Sequence, residues 1–302
     1  MSAAPSPARP PRVSIGVPVF NGEKHLEDTL QSIQAQTFTD FEVVISDNAS
    51  DDRTDDICRA YAANDRRIRY FRNPSNIGLA RNFGRLVELA SAEYFKLANA
   101  DDISAPTLVE KCVAVLDREP GVVLSYGQTT LIDGQGAVLR PYEDRLHLAQ
   151  PRAVDRFDTA LRRIGLVNVR QGVMRTAVLR QTGLLGSYLG SDVVLVAELT
   201  LYGQFTEIPE RLFYRRIHDE AFSSLPSTTR QRAYVDPRLS SRINFYFWRH
   251  SGEYLRAVLR APLSRREKAQ LLYGVVKRSV ASRATLAHEL SAGVFPRRRD
   301  KI

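Results

Sequence analysis

The adjacent acids Asp101 and Asp102 are the sharpest chemical feature of this sequence. They close the run Asn99-Ala100-Asp101-Asp102, directly after an apolar stretch. A hard cation such as Mg²⁺ or Mn²⁺ is commonly held by one or two carboxylates, with phosphate oxygens of a substrate completing its shell. One carboxylate can then take the metal while the other meets a ribose hydroxyl or a water. The competing assignment is structural, because two acids also suit the start of a helix, whose dipole favours negative charge. Two more polar clusters occur earlier, at residues 18–23 and 47–52. Each alone reads as a turn or a helix cap.

What raises these clusters above ordinary turns is the set of elements before them. Residues 13–20 (VSIGVPVF) form a β-rich run of low polarity, the pattern of a strand buried on both faces. Residues 41–46 (FEVVIS), 68–71 and 94–98 (YFKLA) are further strands. Between them Leu26, Leu30 and Ile33, then Ile57, Tyr61 and Ala62, then residues 79–89, recur at helical spacing. Strand and helix in alternation predict an α/β fold with an open, mostly parallel sheet flanked by helices. Such sheets bind ligands outside the carboxyl ends of their strands, where all three clusters fall. Ser104 is expected to cap the next helix, with Pro106 near its first turn.

After residue 120 the rhythm changes. Residues 122–132 and 137–139 flank Asp133-Gly134-Gln135-Gly136, a hairpin signal for a small antiparallel element. Residues 155–164 read as a helix, 169–174 as a strand, 192–201 as a helix and 212–217 as a last short strand. Beyond residue 226 only helical patterns remain, over 254–260 and 268–280.

Composition narrows the classes. The 302 residues are 43% apolar, enough for a sizeable core. No apolar run approaches the ~20 residues of a membrane span, and residues 1–12, rich in Pro, Ala and Ser, read as a disordered lead-in without a signal-peptide core. The two cysteines, Cys58 and Cys112, sit in helical patterns and read as reduced core thiols. The net charge of +9 belongs to the C-terminal quarter: residues 226–302 carry 17 Lys and Arg against 5 Asp and Glu, and the remainder 26 against 29. No nucleic-acid motif accompanies the basic residues. Leu255, Val258, Leu259, Leu263, Leu271, Leu272, Val275 and Val276 lie among them, which suits an anionic membrane surface, packing on the main domain or a second subunit. The expected location is cytoplasmic, with peripheral contact at the inner face of the membrane. No P-loop or dinucleotide fingerprint is present, so phosphate must be handled by metal and basic side chains.

The segments VSIGVPVFNGEKHLEDTLQSIQAQTFTDFEVVISDNASDDRT, NPSNIGLARNF and YFKLANADDISAPTLVEKC together resemble the nucleotide-binding half of the family 2 glycosyltransferases of GT-A fold. They cover about a third of the chain in the order and spacing of that family. The resemblance implies a lead-in over 1–12, a transferase domain over 13–225 with a nucleotide-binding half (13–120) and an acceptor half (121–225), and a basic helical region over 226–302. It implies a nucleotide-diphosphate sugar donor, a UDP-sugar favoured, a glycan or lipid-linked glycan acceptor, and Mn²⁺ or Mg²⁺ as cofactor. By resemblance Pro18, Val19 and Phe20 lie against the base, Asp47 hydrogen-bonds it, Arg81 sits near base and phosphates, Asp101 belongs to the nucleotide site, and Asp102 stands nearest the metal. Many relatives carry an acid where this chain has Asn99, which leaves one charge fewer.

The acceptor half is matched more loosely. Residues 183–192 (GLLGSYLGSD) resemble the stretch in which the family places its general base, which makes Asp192 the candidate. Arg215-Arg216-Ile217-His218 resembles the family's closing Arg-x-x-His segment, with His218 a further metal or diphosphate contact. Arg170 and Arg175 are candidates for the acceptor cleft. The implied reaction is inverting transfer to a hydroxyl. The alternatives are a non-catalytic nucleotide-sugar binding module and a nucleotidyltransferase.

Overall fold

The computed structural model describes residues 9–219, 231, 235–236 and 245–281. Four strands, β1 (Val13–Val19), β2 (Phe41–Asp47), β3 (Ile68–Arg72) and β4 (Tyr94–Leu97), pair in parallel in the order β3-β2-β1-β4. Helices α1 (Leu26–Gln34), α2 (Thr54–Asn64) and α3 (Leu79–Leu89) link them. Helices α1 and α3 bury one stripe each, Leu26, Thr29, Leu30 and Ile33 on the first and Ala80, Phe83, Leu86 and Val87 on the second, whereas on α2 Ile57 is buried and Tyr61 and Ala62 only partly. On β1 the odd-numbered residues 13–19 all enter one core. On the opposite face a Cβ on Gly16 would stand 2.8 Å from the Phe95 ring of β4 and 3.3 Å from Leu86 Cβ of α3.

The chain then adds β5 (Ile103–Ser104), α4 (Leu108–Arg118) and a β6 (Val122–Ile132)–β7 (Val138–Tyr142) hairpin. After α5 (Ala153–Arg163) come β8 (Val173–Arg175), a short α6 (Thr176–Leu179), α7 (Ser191–Leu199) and β9 (Gln204–Arg216). The sheet runs β3-β2-β1-β4-β8-β6-β9-β5. Strand β8 joins the parallel half antiparallel to β4, and β9 lies parallel to β6.

Three local expectations change. Ser104 does not cap α4: it pairs with Phe213 in β5, and Thr107 holds the cap position. Residues 169–174 are not one strand, because 168–171 close into a 3₁₀ turn before β8. The last strand is 13 residues long rather than short. Its charged middle, Pro209-Glu210-Arg211, hid it from a period-2 reading; pairing to β6 across register shifts near Gly127 and Gln128 restores it.

Two C-terminal helices, α8 (Tyr246–Arg260) and α9 (Arg265–Ala281), pack as a pair on α5 and α7. Val258, Leu271 and Val275 enter that core, whereas Leu259 and Val276 stay exposed. The expected domain boundary at residue 226 lies outside the described residues. Cys58 and Cys112 are buried and free, as expected of core thiols. No helix among the described residues is long and apolar enough to cross a membrane. Helix α8 is tied to the main domain by the ion pair Arg260–Glu198. The Glu198 side chain is only 2% exposed, and it also accepts the Gly183 N–H at 2.9 Å. Arg260→Ala would strand that carboxylate with one donor. We expect a loss of about 2 kcal/mol, below the roughly 3–5 of a fully enclosed pair because Arg260 is partly solvated. Urea unfolding should show a lower midpoint with an unchanged slope.

Candidate active site

Three loops meet at the carboxyl ends of β1, β2 and β4, and the end of β9 crosses over them. At β1, strand alternation decides what faces out: Val19 is 3% exposed and joins the core, whereas Phe20 is exposed and Pro18 half-buried. The ring of Phe20 and the face of Pro18 can therefore meet a flat ligand. The Val19 side chain cannot, and its carbonyl instead accepts Asn48 N–H at 2.8 Å.

Asp47 sits where expected, at the end of β2, but is fully buried. One carboxylate oxygen accepts Ser50 N–H (3.0 Å) and Ser50 Oγ–H (2.5 Å); the other accepts Tyr70 O–H (2.9 Å) and Arg72 Nη1–H (2.7 Å). The single Tyr70 hydroxyl proton is shared with Asp55 Oδ1 at 2.5 Å, so three donors are committed to Asp47 and a fourth is shared; Asp47 shapes the 47–52 turn and fixes Arg72. Neighbouring amides complete that frame: Asn48 accepts from Ile77 N–H, and Asn82 bridges Ser46 and Asn73. Arg81, in the first turn of α3, is exposed and makes no hydrogen bond or ion pair among the described residues.

The acidic pair divides sharply. Asp102 turns inward, 6% exposed. Its oxygens accept the Arg216 backbone N–H and the Asn99 amide, each at 2.9 Å. Burial raises its pKa well above the usual carboxylate range, and the Asp101 charge adds to the rise. Asp101 keeps a side chain 33% exposed, with Oδ2 3.2 Å from His218 Nε2. Asn99 therefore has a structural reason: its N–H₂ donates to a buried carboxylate, which an acid at that position could not do.

The elements that build this corner are β5 and β9. Pairing of Ile103 with Tyr214 and Ser104 with Phe213 aligns the two segments. Arg216, 3% exposed, then donates to the Asp101 and Gly134 carbonyls and to Asp28. His218 follows two residues on. His25 was missed in the sequence, where a lone His before Leu26 carries no signal. It is 7% exposed, and its ring meets that of His218 edge-on at 4.9 Å. Burial lowers its pKa, with Arg216 adding to the fall. Among the described residues, His25 Nε2 and His218 Nδ1 have no hydrogen-bond partner.

Among the described residues no three His, Cys, Asp or Glu side chains converge as a ready-made metal cage. The chemistry of the corner still suits a hard cation: a partly exposed carboxylate beside an imidazole, with the remaining positions left to phosphate oxygens and water.

On the acceptor side, Asp192 lies in the first turn of α7 and is half-buried. It does not hold the cap position, which Gly190 occupies in a left-handed conformation, φ 74°, but its Oδ1 accepts the Val193 N–H at 3.0 Å. Arg175 does not line a cleft. It donates to the carbonyls of Leu116, Glu119 and Val122, closing the end of α4. Arg170 is half-buried in the 3₁₀ turn before β8.

A parallel half of four strands, continued by a mixed half that returns over an acidic strand end, has the GT-A class of fold. Residues 14–160 match the family model described as glycosyl transferase family 2. That match spans just under half of the chain, and over it the segment is similar to family 2 glycosyltransferase domains. An uncharacterized glycosyltransferase of Methanocaldococcus jannaschii is 28% identical over 135 residues, which are 44% of this chain and 47% of the relative. The chain thus spans about half the length of that relative. Among solved structures, S. aureus TarS residues 1–349 in complex with UDP superposes with a TM-score of 0.62 at 16% identity, covering 89% of this chain and 72% of TarS 1–349. The mannosyltransferase PcManGT of Pyrobaculum calidifontis, in complex with GDP-Man and Mn²⁺, superposes at 0.52 with 15% identity, covering 98% of this chain and 90% of its own. At these identities the likeness establishes the fold.

Proposed function

We propose that this chain transfers a sugar from a nucleotide-diphosphate donor, a UDP-sugar favoured, to a hydroxyl of a glycan or lipid-linked glycan acceptor in cell-surface polysaccharide or glycoconjugate assembly. The observation that carries the reading is the exposed carboxylate of Asp101 beside His218, at the strand end where the family 2 domain is expected to meet a diphosphate. The roles within the acidic pair are exchanged relative to the sequence expectation. Asp101, with His218, holds Mn²⁺ or Mg²⁺; Asp102 is the buried brace that orients the loop through Arg216 and Asn99.

Pro18 and Phe20 bound the base, and Arg81 faces the nucleotide from α3. The Asp192 carboxylate takes the proton as the acceptor oxygen attacks the anomeric carbon. The bond from that carbon to the phosphate oxygen breaks on the opposite side, so configuration inverts and a nucleoside diphosphate leaves. When bound, the metal supplies Lewis-acid stabilisation of that leaving charge. Holding donor and acceptor in line contributes much of the remaining rate. With Asn99 accounted for as a donor to Asp102, the non-catalytic reading loses its sequence support. A panel of nucleoside diphosphates with and without Mn²⁺ tests the donor assignment: UDP with Mn²⁺ should raise the melting temperature most, by mass action. A flat panel would overturn the assignment.

Peripheral membrane contact is part of the same reading. On α9, Tyr273, Val276 and Val280 are exposed among Arg265, Arg266 and Lys277. Co-sedimentation with phosphatidylglycerol-rich liposomes should be strong at low salt and weaken as salt screens the lipid charge. Equal recovery with neutral liposomes would refute an electrostatic anchor.

A further inference from the structure

A cavity of about 550 Å³ opens between α3 and the 183–187 loop. That volume falls within the range of small-ligand sites. Its α3 wall carries Arg81, Gly84, Arg85 and Glu88, and its loop wall Leu184 and Leu185.

Gly84 makes the cavity more than a surface dent. It is the central residue of an 11-residue helix, where glycine weakens the helix relative to alanine. No heavy atom lies within 4 Å of the Cβ that another residue would place there. Packing within the protein therefore does not require glycine, and helix stability disfavours it. What a side chain at 84 would fill is the cavity.

The opposite wall is held rigid. Leu184 takes a left-handed conformation, φ 53°, costly for a residue with a Cβ. The conformation is pinned by Gly183 N–H on buried Glu198 and by Leu184 N–H on Thr182 Oγ1. Strain held by buried partners is a mark of pre-organised binding walls.

Position and chemistry indicate the ligand. The loop wall leads directly into α7 and Asp192, and Arg81 lies where α3 begins, beside the β2 and β3 ends. The cavity thus lies between the donor-side helix and the loop that precedes the candidate base in the chain. Leu184 and Leu185 offer apolar surface for the C–H face of a sugar. Arg81 has no protein partner among the described residues, and Arg85 is steadied by Asn73 and the Phe71 ring. With Arg81 given to the nucleotide in the reading above, Arg85 is the cation of the α3 wall left to select an anion in this sugar-sized space.

We propose that this cavity is the acceptor subsite and that it takes a saccharide bearing a carboxylate or a phosphate. The proposal rests on the transferase reading above and adds the acceptor's chemical class to it.

The test uses the full chain and three probes: a glucuronate-containing tetrasaccharide, a maltotetraose phosphate and neutral maltotetraose. Binding is followed by ligand-observed NMR titration, with UDP and Mn²⁺ titrated separately. The wild type should bind at least one anionic probe at least tenfold more tightly than maltotetraose, and which one identifies the source of the charge. Gly84→Leu should weaken that binding at least tenfold, raise the melting temperature by a few degrees and leave UDP affinity in place. Glu88→Gln, which removes the acid of the α3 wall, should tighten the anionic probe several-fold at low salt. Undiminished binding in Gly84→Leu, equal binding of maltotetraose, or no binding of any probe while UDP binds would each overturn the subsite. Failure of UDP to bind the wild type would instead sink the donor reading on which it rests.

Discussion

Asp101→Asn is expected to lower sugar transfer by about 10³-fold or more and to remove the Mn²⁺-dependent part of UDP binding, with the melting temperature unchanged. A metal acting as a Lewis acid contributes several kcal/mol at the leaving diphosphate, and each 1.36 kcal/mol is about a factor of ten in rate. The fold has little stake in this carboxylate: it is a third exposed, and the contact it makes is with His218. Asp102→Ala should behave differently. It would leave the Arg216 N–H and the Asn99 amide without their acceptor in a buried corner. That costs about 2 kcal/mol of stability, and activity falls because the loop carrying Asp101 loses its brace. Melting temperature and UDP titration with and without Mn²⁺ separate the two variants. If Asp101→Asn kept metal-linked UDP binding while Asp102→Asn lost it without loss of stability, the roles would revert to those expected from the sequence.

Asp192→Asn is the second large effect. It should reduce kcat by about 10²–10⁴-fold, the range of general-base catalysis, while UDP-sugar affinity stays within about twofold. An interaction made only as the acceptor proton leaves should appear in kcat and not in donor binding. Gly190 holds the cap position of α7, and the one helix bond of the Asp192 side chain, Oδ1 accepting the Val193 N–H at 3.0 Å, is one that an Asn Oδ1 can still accept. The substitution should therefore not unfold the helix, and circular dichroism should be unchanged. Transfer at the wild-type rate by Asp192→Asn would remove it as the base and direct attention to other groups on the acceptor side.

Much of this was legible from residue order alone. The four parallel strands and their three helices follow from period-2 and period-3.6 patterns that local burial enforces, and β1 to β4 fall within a residue of the expected ranges. The placement of Phe20, Asp47 and Asp101-Asp102 at strand ends followed from the same patterns, since a strand that ends in polar residues must put them at the sheet's edge. The hairpin at residues 133–136 was equally local, set by its Asp-Gly turn.

What sequence could not decide was direction and partnership, because both depend on segments distant in the chain. Val19 and Asp47 belong to the right strands yet face inward: one into a core, the other onto Arg72 and Tyr70, 25 and 23 residues away. Asp101 and Asp102 are adjacent and chemically identical. Only the arrival of β9, 114 residues later, gives Asp102 the Arg216 N–H and leaves Asp101 to face His218. Ser104 had the composition of a cap but was claimed by a strand partner, and the meeting of His25 with His218 has no local trace at all. Adjacent side chains differ in environment as soon as backbone from elsewhere supplies donors to one of them. The acidic pair was therefore visible in the sequence as a site, but only the tertiary structure could say which of its two carboxylates is open to a ligand.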